Sequence, residues 1–210
     1  MAQYFAVHPV NPQARLVRRA ADILRGGGLI AYPTDSCYAL GCHIDDAHAL
    51  QRLRRLRGIG AKHHLTLMCR DLSEISQYAV VDDARYKLLK RAIPGSYTFI
   101  LRARRLVPRR LMHERHKTIG VRVPDHAVAH GLVDALDEPI LSATLSLPGD
   151  TAPLSDPQEI RARLERELDL VIDAGPCGAQ PSTVIDLTQE QPVIVRVGRG
   201  SLEPFEVQAV

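Results

Sequence analysis

Helical and strand-like apolar patterns alternate along the whole chain, and this alternation constrains the fold more than any other feature of the sequence. The first helix is predicted to begin at Asn11-Pro12, with Asn as the N-cap residue and Pro in the first turn. A glycine run at residues 26–28 ends this helix, and a short buried strand is predicted over residues 29–32. The helix has an apolar stripe made of Val17, Ala20, Ala21 and Leu24.

The same alternation continues to the end of the chain. Three later helices have predicted N-caps: Asp45 or Asp46, Asp71 in a capping box with Glu74, and Asp156. Interleaved helices and strands indicate an α/β (α+β) fold with a mixed sheet, and we expect one domain over residues 1–210. Further helices are predicted over residues 82–91, 125–136 and 157–167, and strands over 65–69, 97–103, 119–123, 139–142, 169–172, 183–187 and 193–197.

Composition narrows the class of protein. Aromatic residues make up only 4% of the chain and Trp is absent, so the core must consist mainly of Leu, Val, Ile and Ala. No apolar run approaches the roughly 20 residues that cross a bilayer, and the first residues lack the apolar stretch of a signal peptide. We therefore expect a cytoplasmic protein without a membrane partner. Its four scattered cysteines form no CxxC pair, so no disulfide framework and no structural metal are predicted.

Charge is strongly segregated along the sequence. Between residues 102 and 122 there are eight basic residues and one acid, whereas acids dominate residues 134–173. This segregation predicts a positive face that attracts phosphates or RNA, although a solvated face with counter-charges folded across it is an alternative. The RNA-binding candidates in this segment are Arg104, Arg105, Arg109 and Arg110.

Five polar segments lie at predicted strand ends, where loops present side chains above a sheet. An Arg in an apolar strand is costly unless it is paired, so Arg122 should contact a carboxylate or a phosphate. The hydroxyls of Ser142 and Ser182 could instead satisfy local backbone groups. The segments are YPTDSCYALG at 32–41, PGSYT at 94–98, VRVP at 121–124, LSAT at 141–144 and PSTVID at 181–186.

In this order and spacing, the five segments resemble the YrdC family. The resemblance covers nearly the whole chain, and residues 66–74 and 117–120 are closer still to the YciO branch of that family. It implies a twisted mixed sheet with flanking helices and a basic concave cavity. It also implies synthesis of threonylcarbamoyl-AMP and pyrophosphate from ATP, L-threonine and bicarbonate, with Mg²⁺ accompanying ATP. The product feeds tRNA threonylcarbamoyladenosine modification, and the family is associated with binding tRNA and double-stranded RNA.

The resemblance also assigns roles to individual residues. The protein would position the reactants and neutralise charge on phosphate, with no metal held by its side chains alone. We expect a monomer or a weak dimer. The catalytic candidates are Arg57, Lys62, Ser142 and Thr144; the threonine-binding candidates are Thr34, Tyr38, Thr98 and Ser182; the nucleotide-binding candidates are Arg122, Ser142, Ala143 and Arg196.

Two motifs of the active enzymes are altered in this chain. Their Lys-x-Arg element aligns with Arg57-Gly58-Ile59, and their Ser-x-Asn element aligns with residues 142–144, where Thr144 replaces Asn. Lys62, His63 or His64 could substitute for the missing cation. Three hypotheses therefore stand: a weak or diverged synthase, a non-catalytic RNA-binding factor, and a carbamoyl-adenylate enzyme acting on a different amine.

Overall fold

The structure, a computed structural model, describes residues 1–60, 63, 65–113 and 115–205. Its strands form one mixed sheet in the order β1-β8-β2-β3-β7-β4-β6-β5-β9-β10. They are β1 (Gln3–Ala6), β2 (Ile30–Tyr32), β3 (Ala39–His43), β4 (Thr66–Met68), β5 (Tyr97–Arg102), β6 (Thr118–Arg122), β7 (Ile140–Thr144), β8 (Leu170–Asp173), β9 (Thr183–Asp186) and β10 (Val193–Arg196).

Helices flank the sheet, as the alternating pattern predicts. The expected mixed sheet is confirmed, because β4 pairs parallel to β6 and antiparallel to β7. The chain also contains short 3₁₀ helices, at Arg109–Leu111 and Glu203–Phe205. The α-helices are α1 (Ala14–Arg25), α2 (Ala47–Arg57), α3 (Leu72–Tyr78), α4 (Asp83–Ala92), α5 (Ala127–Leu136) and α6 (Pro157–Leu164). No helix among the described residues is long and apolar enough to cross a membrane.

The two faces of the sheet are covered differently. On one face, α1 and α5 pack over one part of the sheet and bury Tyr32, Met68 and Ile140 completely or almost completely. On the other face, a larger apolar cluster that includes Phe99 and Leu141 extends from strand to strand. Each fully buried large apolar side chain contributes about 1.5–3 kcal/mol to folding. Helices α1 and α5 leave part of their own face of the sheet uncovered, and this part forms the floor of the site described below.

The predicted N-caps of the later helices are confirmed. Asp46 accepts a hydrogen bond from the Ala49 amide at 2.7 Å, and Asp71 accepts one from the Glu74 amide at 2.8 Å. Asp156 caps α6 in the same way, with Pro in its first turn. The return bond of the capping box differs from the usual pattern, because the Glu74 carboxylate accepts from the amide of Arg70 instead of from that of the N-cap residue.

Two predictions about the first part of the chain are wrong. Helix α1 begins at Ala14 with Gln13 as its N-cap, two residues after the predicted Asn11 cap. In the structure Asn11 belongs to a local turn before the helix, in which its amide donates to the ring nitrogen Nδ1 of His8 at 3.0 Å. The predicted strands also omit β3, which begins inside the polar segment over residues 32–41, is buried on both faces and shows no alternation.

Candidate functional site

A cavity of about 460 Å³ lies over the uncovered part of the sheet. We call it the sheet cavity. No Asp or Glu is among the described residues that line it, so its wall carries positive charge and hydroxyl groups. The lining residues are Cys37, Ala39, Arg57, His63, Thr66, Thr98, Ile100, Gly120, Arg122, Ser142, Ala143, Thr144, Ser182, Val184, Val195 and Arg196.

Strand register builds the floor of the sheet cavity. Ser142 on β7 pairs with Thr66 on β4, Thr66 pairs with Gly120 on β6, and Gly120 pairs with Ile100 on β5. Side chains of paired residues point to the same face of a sheet, so these four positions form one row. A side chain at Gly120 would collide with the row, since a Cβ atom there would lie 2.8 Å from Thr66 Oγ1.

Arg122 is held at the edge of the cavity by a buried ion pair. Its guanidinium donates to a carboxylate oxygen of Asp35, and also to Ser36 Oγ at 2.9 Å. The second Asp35 oxygen accepts from Ser96 Oγ at 2.8 Å. The Nε atom of Arg122 is buried and has no hydrogen-bond partner in the described part of the chain. Arg122 therefore meets the predicted carboxylate and keeps donors that a ligand could use.

Two further arginines are anchored through backbone carbonyls. Arg57, at the end of α2, donates to the carbonyl of Ser146, and Arg196 on β10 donates to the carbonyl of Ser182 at 2.9 Å. Partial desolvation lowers the pKa of both guanidiniums, and desolvation followed by the charges of Arg57 and Arg196 lowers the pKa of His63. The arginines remain charged at pH 7.

Hydroxyl groups form the remaining polar wall. Thr98 Oγ1 and Ser182 Oγ lie 2.8 Å apart in a hydrogen bond, and Ser142 Oγ lies 2.6 Å from the hydroxyl of Tyr32. Thr144 and Cys37 also line the cavity, and burial is the main cause that raises the pKa of the Cys37 thiol. Ala143 contributes its backbone, because its side chain packs against the core on the opposite face.

The structure brings most of the predicted site residues together. Thr34 and Tyr38 are the exceptions among the described residues: Thr34 Oγ1 donates to the Cys37 carbonyl at 2.6 Å, and the Tyr38 hydroxyl donates to the Gly175 carbonyl at 2.9 Å. Lys62 and His64 lie outside the described residues. The predicted residues that line the sheet cavity are Arg57, Thr98, Arg122, Ser142, Ala143, Thr144, Ser182 and Arg196.

Sequence reasoning missed Thr66 and Gly120 in the floor and Tyr32 beneath Ser142. Thr66 and Gly120 lie inside short strands, and only the strand register brings them into one row. Tyr32 stands directly before a polar turn, but no sequence pattern shows that its hydroxyl reaches a strand over a hundred residues away.

A second cavity, of about 740 Å³, lies at the connection between β5 and β6. We call it the basic cavity. Its lining includes three of the RNA-binding candidates, Arg104, Arg105 and Arg109, together with Lys117. Arg110 does not, because its guanidinium donates to the Ile44 carbonyl at 3.1 Å and pairs with Asp45. The remaining lining residues are Ala103, Val107, Met112 and His113.

Residues 22–198 match the family model of the Sua5, YciO and YrdC proteins, which carries the description "Telomere recombination". The Escherichia coli protein YciO is 53% identical over 98% of this chain and all of its own length. Its crystal structure superimposes with a TM-score of 0.95. A threonylcarbamoyl-AMP synthase of Chromobacterium violaceum is 37% identical over 85% of this chain and 92% of its own.

A more distant structure carries a ligand. Pyrococcus abyssi Sua5 complexed with L-threonine is 28% identical, with a TM-score of 0.85 over 93% of this chain and 57% of the Sua5 chain. Together with the family model, which spans most of the sequence, these similarities establish the relationship. The chain belongs to the Sua5/YciO/YrdC family.

Proposed function

We propose that the sheet cavity binds ATP and L-threonine and that the chain forms threonylcarbamoyl-AMP at a low rate. The observation that carries the proposal is the convergence of Arg57, Arg122 and Arg196 on a cavity with no acidic lining residue among those described. Three guanidiniums suit a triphosphate, and the neighbouring hydroxyls suit a small polar amino acid. The relatives named threonylcarbamoyl-AMP synthases add support.

The proposed reaction needs no protein nucleophile. The amine of threonine combines with bicarbonate to give a carbamate and water, and a carbamate oxygen then attacks the α-phosphate of ATP. The bond from the α-phosphorus to the bridging oxygen breaks, and pyrophosphate leaves. The arginines would bind the phosphates and neutralise the charge that develops on them. Arg122 is the best placed of the three, because the ion pair with Asp35 fixes its orientation.

The low rate follows from the two altered motifs. Ile59 packs against the apolar core and provides no charge, and Thr144 offers only a hydroxyl where the active enzymes carry the donor and acceptor pair of an Asn amide. Losing one transition-state contact costs on the order of 100- to 1000-fold in rate. We propose that Mg²⁺ is bound through the phosphates of ATP.

Calorimetric titration with Mg-ATP tests the proposal. Arg196→Ala should weaken ATP binding about tenfold, because it removes a charge-assisted hydrogen bond to phosphate worth about 1.5 kcal/mol. Arg163→Ala is the matched control, since Arg163 pairs with Asp150 and Glu159 outside the cavity. Equal ATP affinities for the wild type and both variants would argue against a nucleotide in the sheet cavity.

As a second function we propose that the basic cavity binds the phosphate backbone of tRNA or double-stranded RNA. Arg104, Arg105, Arg109 and Lys117 line it, and no salt bridge to any of the four occurs in the described part of the chain. On a duplex, the logarithm of the affinity falls with the logarithm of the salt concentration, and each phosphate contact adds about 0.9 to the magnitude of that slope. Arg105→Ala with Arg109→Ala should therefore lower that slope by about 1.8.

The control for RNA binding is Arg110→Ala. Arg110 belongs to the same basic segment but is turned toward Asp45. It should leave the salt dependence close to that of the wild type. An equal loss of slope in this variant would instead indicate diffuse attraction by the whole segment.

All four cysteines are free thiols, and three of them are buried. We propose a reducing, cytoplasmic location, in which cysteines ordinarily stay as thiols.

A further inference from the structure

The hydrogen bond between Tyr32 and Ser142 joins a fully buried side chain to the wall of the sheet cavity. Tyr32 is 0% exposed, and Ser142, at 8%, faces the cavity. Their oxygens are 2.6 Å apart. The Tyr32 ring is held in place by Gly41, since a Cβ atom there would lie 2.7 Å from the ring carbon Cε1. With both oxygens fixed, the remaining question is which of the two hydroxyl groups donates its proton to the other.

Burial decides which hydroxyl donates. Neither group makes another hydrogen bond within the described residues. If Ser142 donated, the proton of Tyr32 would be buried without an acceptor, which costs as much as desolvating a hydroxyl outright. If Tyr32 donates, the remaining proton is that of Ser142, which can reach a ligand or water in the cavity. A phenol is also a stronger acid than an alcohol and so the better donor.

We propose that Tyr32 is a positioning residue that makes Ser142 a fixed hydrogen-bond donor to a phosphate oxygen of the nucleotide. This inference rests on the proposed function, because it takes the ligand to be a nucleotide. Ser142 pairs in register with Thr66, at the start of the row that forms the cavity floor. Its donated proton would act together with the donors of Arg122, which lies on the same face.

A double-mutant cycle on ATP binding tests the coupling. Tyr32→Phe keeps the ring but frees the Ser142 hydroxyl to sample its three staggered orientations, so ATP should bind about threefold more weakly. In the Ser142→Ala background, Tyr32→Phe should cause no further loss. Tyr97→Phe is the matched control, since it removes a hydrogen bond to the Ser201 carbonyl from another buried tyrosine. A purely structural role would weaken binding equally in both backgrounds.

A measurement without ligand separates this inference from the proposed function. The carbon–oxygen stretch of isotope-labelled tyrosine differs between a phenol that donates and one that accepts a hydrogen bond. Subtracting the infrared spectrum of Tyr32→Phe from that of the wild type isolates Tyr32 among the six tyrosines. A donating phenol supports the orientation that Tyr32 imposes on Ser142 even if ATP does not bind, and an accepting phenol overturns the inference. If the wild type binds ATP with no change in Tyr32→Phe, the positioning role is refuted while the nucleotide site stands.

Discussion

Replacing Arg122 with Ala should destabilise the fold because it leaves the carboxylate of Asp35 without its partner. Each side chain of the pair is only 11% exposed, so solvent screens the interaction weakly. Breaking a buried ion pair by removing one partner costs about 3–5 kcal/mol. Because Ser96 still donates a hydrogen bond to Asp35, we expect a loss at the lower end of this range, about 3 kcal/mol. For a chain of this length the melting temperature should fall by about 6–12 °C.

Urea denaturation measures this cost, and a second variant identifies its cause. In the double variant Arg122→Ala, Asp35→Asn the unpaired charge is gone, so the double variant should be more stable than Arg122→Ala alone. Arg163→Ala breaks exposed ion pairs and should stay close to the wild type. If Asp35→Asn fails to restore any stability to Arg122→Ala, the stranded carboxylate is not the source of the loss.

Three further results are expected. Gly120→Ala should cost about 1–3 kcal/mol in urea denaturation, since the added methyl collides with Thr66; an unchanged midpoint would contradict the tight floor. His126 is the N-cap of α5, and burial, the largest cause, lowers its pKa, so the free energy of unfolding should fall as pH drops below about 6.5. The variant His126→Asn does not titrate and should flatten this pH dependence. A profile of stability against pH that runs parallel to that of the wild type would refute the prediction. Ile59→Arg with Thr144→Asn should raise pyrophosphate release at least tenfold, and no gain would place the rate defect elsewhere.

Local rules account for the parts of the fold that the sequence predicts correctly. Asp46, Asp71 and Asp156 satisfy helix amides from a distance of two or three residues, so their positions can be read directly from the sequence. The apolar stripe of Val17, Ala20, Ala21 and Leu24 locates helix α1 in the same way. At Asn11 the local rule fails: the helix starts two residues later, and the Asn11 amide lies in a turn with the His8 side chain.

The site depends on long-range pairing that no local rule contains. Arg122 could be identified as a polar residue in an apolar strand, but its partner Asp35 lies 87 residues away in sequence. The basic segment looked uniform, yet Arg110 turns to Asp45 while Arg109 lines the basic cavity. Strand order, which places β4 between β7 and β6, decides which side chains meet at the cavity floor.

The most direct test of the central claim is pyrophosphate release by the purified chain in the presence of ATP, Mg²⁺, bicarbonate and L-threonine. Omission of threonine serves as the background. We expect slow release that requires threonine and that falls further when Arg122, whose guanidinium faces the sheet cavity, is replaced. Release that is independent of threonine, or no release above background at any enzyme concentration, would contradict synthase chemistry in this cavity.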